Sequence, residues 1–248
     1  MAYICAKIRY EWSVQHEIEL GYKALRKPGS TVGIHMWPQD AHESAKRFSG
    51  KYQSMEEMEC KCLMHWVDQF EQKDGVPLSF AVINFIRECV VVEDYFREVI
   101  SILRSRDIES LLTIEDHELG FAFYRLVTLR EISNIALIIR SILSNNHLKI
   151  FRRELLGEMK RAVQAMSSEN FQNLHDAAWT IRYRTRVNGR KPEKNSISRT
   201  LLIKGLEFDH AIILDADKLQ NKMHFYVAAT RGSKSLIILS KSPVIGYS

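Results

Sequence analysis

Hydrophobic and polar positions along the chain first follow the pattern of alternating strands and helices. Residues 3–10 and 31–37 are short runs rich in apolar and β-branched residues, and residues 14–26 between them carry apolar side chains at helical spacing. The pattern predicts the beginning of an α/β unit. Asp40 is the expected N-cap of a further helix over residues 41–48.

The middle of the chain has a different period. From residue 52 to residue 190, apolar residues recur every three or four positions, as in FAVINFIRECVVVEDYFREVISIL, and turn-like segments separate these stretches. The spacing predicts a region of five to seven helices. Within it, the acidic residues of LLTIEDHELG (111–120) are predicted to form the first turn of a helix, where negative charge is favourable.

The last region returns to short apolar runs, at residues 196–203, 210–216 and 235–240, with a helix predicted through residues 224–232. These runs are apolar throughout, which is typical of buried parallel strands. The predicted fold class is therefore α/β. A parallel-sheet domain is expected from residues 1–51 and 191–248, with a mostly α-helical subdomain of residues 52–190 inserted into it.

Composition narrows the setting. The chain has 248 residues, 46% of them hydrophobic, and no apolar run approaches the ~20 residues that span a bilayer. We expect no membrane partner and a cytoplasmic location, where the four cysteines are thiols. Cys60, Cys62 and His65 have metal-like spacing, but no second ligand pair accompanies them, so no metal site is predicted.

The net charge of +5 permits an anionic partner, and the cations are concentrated in one stretch. RYRTRVNGRKPEK contains Arg182, Arg184, Arg186, Arg190, Lys191 and Lys194. With Trp179 and Tyr183 nearby, the stretch can form a path for single-stranded DNA through phosphate contacts and stacking. The alternative is a solvated linker that returns from the helical region. The sequence leaves both open.

Two further segments carry the most specific signal. KGLEFDH (204–210) precedes the apolar run AIILDAD, and YVAATRG (226–232) precedes SKSLIILS. Together they resemble motifs V and VI of the UvrD-like superfamily 1 DNA helicases, in the order that the family has. The direct match covers roughly the last 50 residues. The resemblance implies a RecA-like domain interrupted by a helical insertion, which agrees in outline with the pattern above.

The resemblance also implies roles for individual residues. Arg231 would reach the γ-phosphate of ATP and neutralise charge during phosphoryl transfer, for which a planar, always-charged guanidinium is suited. Glu207 would lie near the nucleotide sugar, and Gly205 would let the backbone approach a phosphate. Lys204 would contact nucleotide or DNA phosphate, and Thr230 would support the arginine. Without the family, Gly205 is a turn residue and Arg231 a cation at a helix end.

The chain also departs from the family. No G-x-x-x-x-G-K-[ST] loop occurs, and Gly50-Lys51 lacks its context. Where many relatives have Thr and His in motif V, this chain has Arg199 and Leu201, which leaves the adjacent Thr200 as the candidate DNA contact. We therefore expect ATP and Mg²⁺ to bind only in a completed complex, and the isolated chain to be inactive as an ATPase.

The expected function is the C-terminal portion of an ATP-dependent DNA helicase or translocase. The expected partners are single-stranded or partly duplex DNA and a Walker-loop RecA-like domain in trans. By analogy with short UvrD-like proteins of anti-phage systems, a nuclease is a further candidate partner. The alternative is a non-enzymatic, helicase-derived module that binds a protein partner or DNA.

Overall fold

The computed structural model describes residues 5–9, 13–57, 59, 61–92, 94–169, 171–188, 192–219 and 221–242. The chain folds into two compact units. One, the α/β unit, combines Met1–Glu57 with Lys191–Ser248, and the other, the helical unit, comprises Met58–Arg190. The first boundary lies six residues later than the sequence pattern suggested.

The elements described follow one another along the chain without a repeat. They are β1 (Cys5–Arg9), α1 (Val14–Leu25), β2 (Thr31–His35), α2 (Pro38–Arg47), β3 (Gln53–Ser54), α3 (Lys61–Glu71), α4 (Gly75–Arg87), β4 (Val90–Val91), α5 (Arg97–Ser105), α6 (His117–Leu129), α7 (Ser133–Ser144), β5 (Lys149–Ile150), α8 (Arg153–Ser168), α9 (Leu174–Asn188), β6 (Asn195–Arg199), β7 (Phe208–Ile213), α10 (Lys222–Ala229) and β8 (Gly232–Leu239). Short 3-10 turns occupy Ile108–Thr113, Thr200–Ile203 and Ala216–Lys218.

The α/β unit is built on a six-stranded sheet in the order β1-β8-β7-β2-β6-β3. All pairings described in this sheet are parallel. All five side chains of β2 are buried, as expected for a strand with a neighbour on each side and helices packed against the sheet. The predicted α/β class with a parallel sheet is therefore confirmed.

Helix α1 packs against the segment that follows α2. Its buried positions include Leu20, Gly21 and Ala24, whereas Tyr22 is exposed. A side chain at Gly21 would collide with the ring of Phe48, since a Cβ there would lie 2.2 Å from a ring carbon. The hydroxyl of Tyr52 donates to the Gly21 carbonyl at 2.9 Å. Glycine is required here because an aromatic ring lies directly on the helix backbone.

A buried polar network joins α1, β2 and α2. Ser44 donates to a carboxylate oxygen of Glu17, and its Oγ is 2.8 Å from Nε2 of His35. Burial raises the pKa of Glu17, but hydrogen bonding by His35 and Ser44 and the charges of His35 and Arg47 outweigh burial and hold the pKa below its usual range. The network stabilises the ionised carboxylate inside the α/β unit.

Two local predictions for this unit were wrong. Helix α2 begins at Pro38, with Trp37 as its N-cap, so Asp40 lies in the first turn and is not the cap. Proline suits the first helical position, where its missing N–H is not needed. The two-residue strand β3 pairs with β6, which extends the α/β unit beyond residue 51.

The helical unit contains the seven helices α3–α9, within the predicted range, among the residues described. Its core includes an aromatic group in which Trp66, Phe70 and Phe85 contact one another, with ring centroids 5.7–6.2 Å apart. The antiparallel pair β4–β5 was not predicted. Asp116 caps α6 by accepting a hydrogen bond from the Leu119 amide at 3.0 Å, which confirms the predicted acidic helix start.

The described residues show no group of three or more side chains arranged to hold a metal ion. Cys62 lies in α3 and donates to Glu88 at 3.6 Å, whereas Cys60 lies outside the described residues. No helix in the described ranges is both long and apolar enough to cross a membrane.

Candidate functional site

The centre of the candidate site is a tight turn at Lys204 and Gly205. The Leu206 amide donates to the Ile203 carbonyl at 3.0 Å, Lys204 has φ −60° and ψ 122°, and Gly205 has φ +85°. These angles define a type II turn, which needs glycine at its third position. A Cβ on Gly205 would meet no atom within 4 Å. The backbone angle therefore requires glycine, and the space beside it is open.

Arg231 joins this turn to helix α10. It follows the helix and does not lie on it, as was predicted, because α10 ends at Ala229. Its Nε donates to the Val227 carbonyl at 2.9 Å, and Nη1 donates to the Leu206 carbonyl at 2.9 Å. Nη2 donates to Thr230 Oγ1 at 2.9 Å. Residues from the two motif-like segments are thus in direct contact.

Arg231 still has hydrogen-bonding capacity. A guanidinium carries five N–H groups, and three of them account for the contacts at 2.9 Å. The side chain is half-buried, while Lys204 and Glu207 are exposed and have no hydrogen-bond or ion-pair partner among the described residues. The site therefore presents two cations beside an open glycine turn, an arrangement that can receive an anion.

Thr230 and Thr200 have different environments. Thr230 Oγ1 donates to the Tyr226 carbonyl at 2.8 Å and accepts from Arg231, so it supports the guanidinium as predicted from the resemblance. Thr200 is only 3% exposed, and its Oγ1 lies 3.4 Å from Nδ1 of His224. A buried hydroxyl cannot contact DNA directly, so the prediction that Thr200 is a DNA contact is corrected.

The end of the KGLEFDH segment has a structural role that the sequence did not reveal. The pKa of Asp209 is lowered to about 2, chiefly by Lys234, which lies 2.5 Å away, and also by the Ser30 amide, which donates to it at 2.7 Å. His210 lies within hydrogen-bond distance of the Pro28 carbonyl and of Ser235. These contacts hold the turn before β2 against β7 and β8, and no spacing in the sequence predicts them.

Gly29 and Gly232 show how closely these segments approach. A Cβ on Gly29 would lie 2.3 Å from a carboxylate oxygen of Asp209, and Gly29 also has φ +119°. A Cβ on Gly232 would lie 2.5 Å from the Ser235 carbonyl. The glycine that follows Arg231 is therefore required by packing at the start of β8.

The basic stretch, in the helical unit, is mostly helix and not a linker. Arg182 is 4% exposed and forms an ion pair with the fully buried Glu158, so the prediction that it binds DNA is wrong. Arg184 forms an exposed ion pair with Glu169 at 2.7 Å. Arg186 is exposed in the last turn of α9, and Arg190 lies outside the described residues.

Large side chains on the same helix do reach the surface. Trp179, Tyr183 and Val187 are spaced four residues apart on α9 and are 51%, 69% and 64% exposed. Arg186 lies between Tyr183 and the helix end. An exposed aromatic pair with a nearby cation is the kind of surface on which nucleic-acid bases stack.

Comparison with protein-family models gives no match, and no curated protein matches the sequence significantly. The resemblance to helicase motifs therefore depends on the residues of the two segments themselves and on their geometry.

Proposed function

We propose that this chain supplies the motif V and motif VI side of the ATP cleft of a UvrD-like DNA helicase or translocase. In this proposal the α/β unit is a RecA-like domain, and the helical unit is an insertion into it. The Walker-loop domain comes from outside these 248 residues. The observation that carries the proposal is the contact of Arg231 with the Lys204–Gly205 turn, through the Leu206 carbonyl.

The chemistry follows from charge and access. Arg231 would use its remaining N–H groups to bind γ-phosphate oxygens, and the contacts to Val227 and Leu206 would keep its guanidinium oriented. Lys204 would add a second positive charge, and the open side of Gly205 would let a phosphate approach the backbone. Arginines in this role accelerate phosphoryl transfer by about 10³–10⁵ in enzymes generally.

ATP and its Mg²⁺ would be held mainly by the Walker-loop domain, which provides phosphate-binding amides and a hydroxyl for the metal. The residues of this chain fit the anionic end of the nucleotide because both side chains at the turn are cationic. Glu207, exposed next to Leu206, is the candidate for a hydrogen bond to the sugar.

The part of the DNA path that this chain would provide lies on α9. Trp179 and Tyr183 would stack on bases, and Arg186 would contact phosphate. Arg184 would have to exchange its carboxylate partner Glu169 for a phosphate.

Two measurements on the purified chain test the proposal. A fluorescent ATP analogue, followed by anisotropy, should bind weakly, and both Lys204→Gln and Arg231→Gln should weaken binding. Arg26→Gln, an exposed cation after α1, is the matched control and should have no effect. ATP hydrolysis should be absent with or without single-stranded DNA. Robust hydrolysis by the chain, or analogue binding unchanged by Lys204→Gln, would contradict the proposal.

One observation favours the alternative, a non-enzymatic interaction module. Arg231 already binds two backbone carbonyls and a hydroxyl within its own unit, so it stabilises the local fold without any nucleotide. If this is its whole role, Arg231→Gln destabilises the α/β unit, whereas Lys204→Gln changes neither stability nor nucleotide binding. The lysine variant therefore separates the two functions.

A further inference from the structure

A basic groove lies in the helical unit between α4 and α5. Its volume is about 510 Å³. One wall is formed by Asn84 and Arg87 of α4, and the other by Arg97, Ser101 and Arg104 of α5. On each helix these positions recur at spacings of three, four or seven residues, so they share one helix face. The groove is thus a continuous surface made by two helices.

The charges in this groove are not balanced. Three arginines line it against one carboxylate, Asp94, so its net charge is +2. Asp94 pairs with Arg97 at 2.6 Å, and both side chains are largely exposed. Arg87 and Arg104 have no ion-pair or hydrogen-bond partner among the described residues. Neighbouring cations without counter-charges favour the binding of an anionic ligand.

The neutral lining is suited to the same kind of ligand. The side chains of Asn84 and Ser101 form no hydrogen bond within the described part of the chain, which leaves both available to a ligand. Phe80 and Ile100 are half-buried and supply apolar surface between the cations. Cationic, polar and apolar groups along one groove match the phosphates, sugars and bases of a nucleic-acid strand.

The spacing of the cations favours a strand over a compact phosphate compound. Arg97 and Arg104 are seven residues apart on α5, which is about 10 Å along the helix axis. At ~3.4 Å per nucleotide, that distance corresponds to about three nucleotides. A single phosphate group cannot contact both guanidinium groups at this separation unless the side chains bend towards each other.

We propose that the α4–α5 groove binds the phosphate backbone of a single nucleic-acid strand. The site is distinct from the surface of α9 and from the turn at Lys204. It does not depend on the proposed ATP-cleft function, since it involves the helical unit alone. If the nucleotide-binding tests fail, this proposal is unaffected, and the reverse also holds.

The test is binding of fluorescein-labelled oligothymidylate to the full chain, measured by anisotropy over a range of salt concentrations. Arg87→Gln/Arg104→Gln should weaken binding roughly tenfold, and the slope of log K against log salt should become shallower by about 1.4, because two phosphate contacts are lost. Lys61→Gln/Arg161→Gln removes two exposed cations elsewhere on the helical unit and is the matched control. It should leave the affinity and the slope unchanged.

A second variant predicts the opposite change. Asp94→Asn removes the only carboxylate of the groove and releases Arg97, so it should strengthen oligothymidylate binding two- to threefold at low salt. A misfolded protein would not bind more tightly, which separates this effect from loss of structure. Unchanged binding in both groove variants would overturn the proposal.

The remaining arm tests the chemistry of the ligand. Polyglutamate at equal charge concentration should compete poorly with oligothymidylate, since it offers no bases for the apolar surface and no phosphates. Equal competition by polyglutamate would show that the groove accepts acidic polypeptides, and would overturn the assignment to nucleic acid.

Discussion

Replacing Arg182 by alanine should destabilise the helical unit severely, whereas the same change at Arg184 should not. Arg182 is 4% exposed, its Nη1 contacts the carboxylate of Glu158, and Glu154 lies 3.6 Å away. Glu158 has no exposed surface. Arg184 and Glu169 form their pair in solvent. Two residues along one helix separate a buried ion pair from an exposed one.

The expected size of the effect follows from this burial. Arg182→Ala leaves the Glu158 carboxylate inside the unit without its main counter-charge, and breaking a buried pair in this way costs about 3–5 kcal/mol. Domains are stable by only about 5–15 kcal/mol, so the variant should lose a large part of its free energy of unfolding. Arg184→Ala exchanges a solvent-exposed contact for water and should have little effect.

Urea unfolding, followed by far-ultraviolet circular dichroism, measures these changes. The double variant Arg182→Met/Glu158→Met should recover most of the loss, since it removes both charges and fills the space with apolar groups. If Arg182→Ala is as stable as Arg184→Ala and binds oligothymidylate more weakly than wild type, the arginine is a DNA ligand and our assignment of its role is wrong.

Three further substitutions test the glycines and the buried carboxylate. Gly205→Ala should cost about 1 kcal/mol because of its positive φ, and Gly29→Ala should cost more because its Cβ would also collide with Asp209; equal melting temperatures for the two variants would contradict this order. The pKa of Glu17 is lowered in the folded state, so its contribution is complete above the unfolded value of about 4.3 and is lost as the pH falls through the folded value. The stability difference between wild type and Glu17→Gln should therefore shrink in acid, and a difference independent of pH would refute the assignment.

Much of the fold could be predicted because it depends on local patterns. The apolar runs became β2, β7 and β8 because buried parallel strands need apolar residues on both faces. Helix α6 and its acidic cap were predictable since the capping residue and the apolar spacing both lie within a few positions of sequence.

The remainder depends on contacts between distant residues. The stretch 182–194 gave no sign that its first arginine is buried, because the partner Glu158 lies a full helix earlier in the chain. Asp209 and Gly29 likewise meet only after β2 and β7 pair. In both cases the sequence shows the charge, and only the fold shows whether it faces solvent.

The location of the candidate site explains why one chain would be insufficient for tight nucleotide binding. Phe208 and Gly232 are paired at the beginning of β7 and β8, so the Lys204–Gly205 turn and Arg231 lie at the amino ends of parallel strands. Ligands of open α/β sheets ordinarily bind at the carboxyl ends, often against a glycine-rich loop. The residues described here provide positive charge and an open turn at the opposite edge. A second domain that brings a phosphate-binding loop would therefore supply most of the affinity, and Arg231 would contribute mainly when the two domains close around the nucleotide.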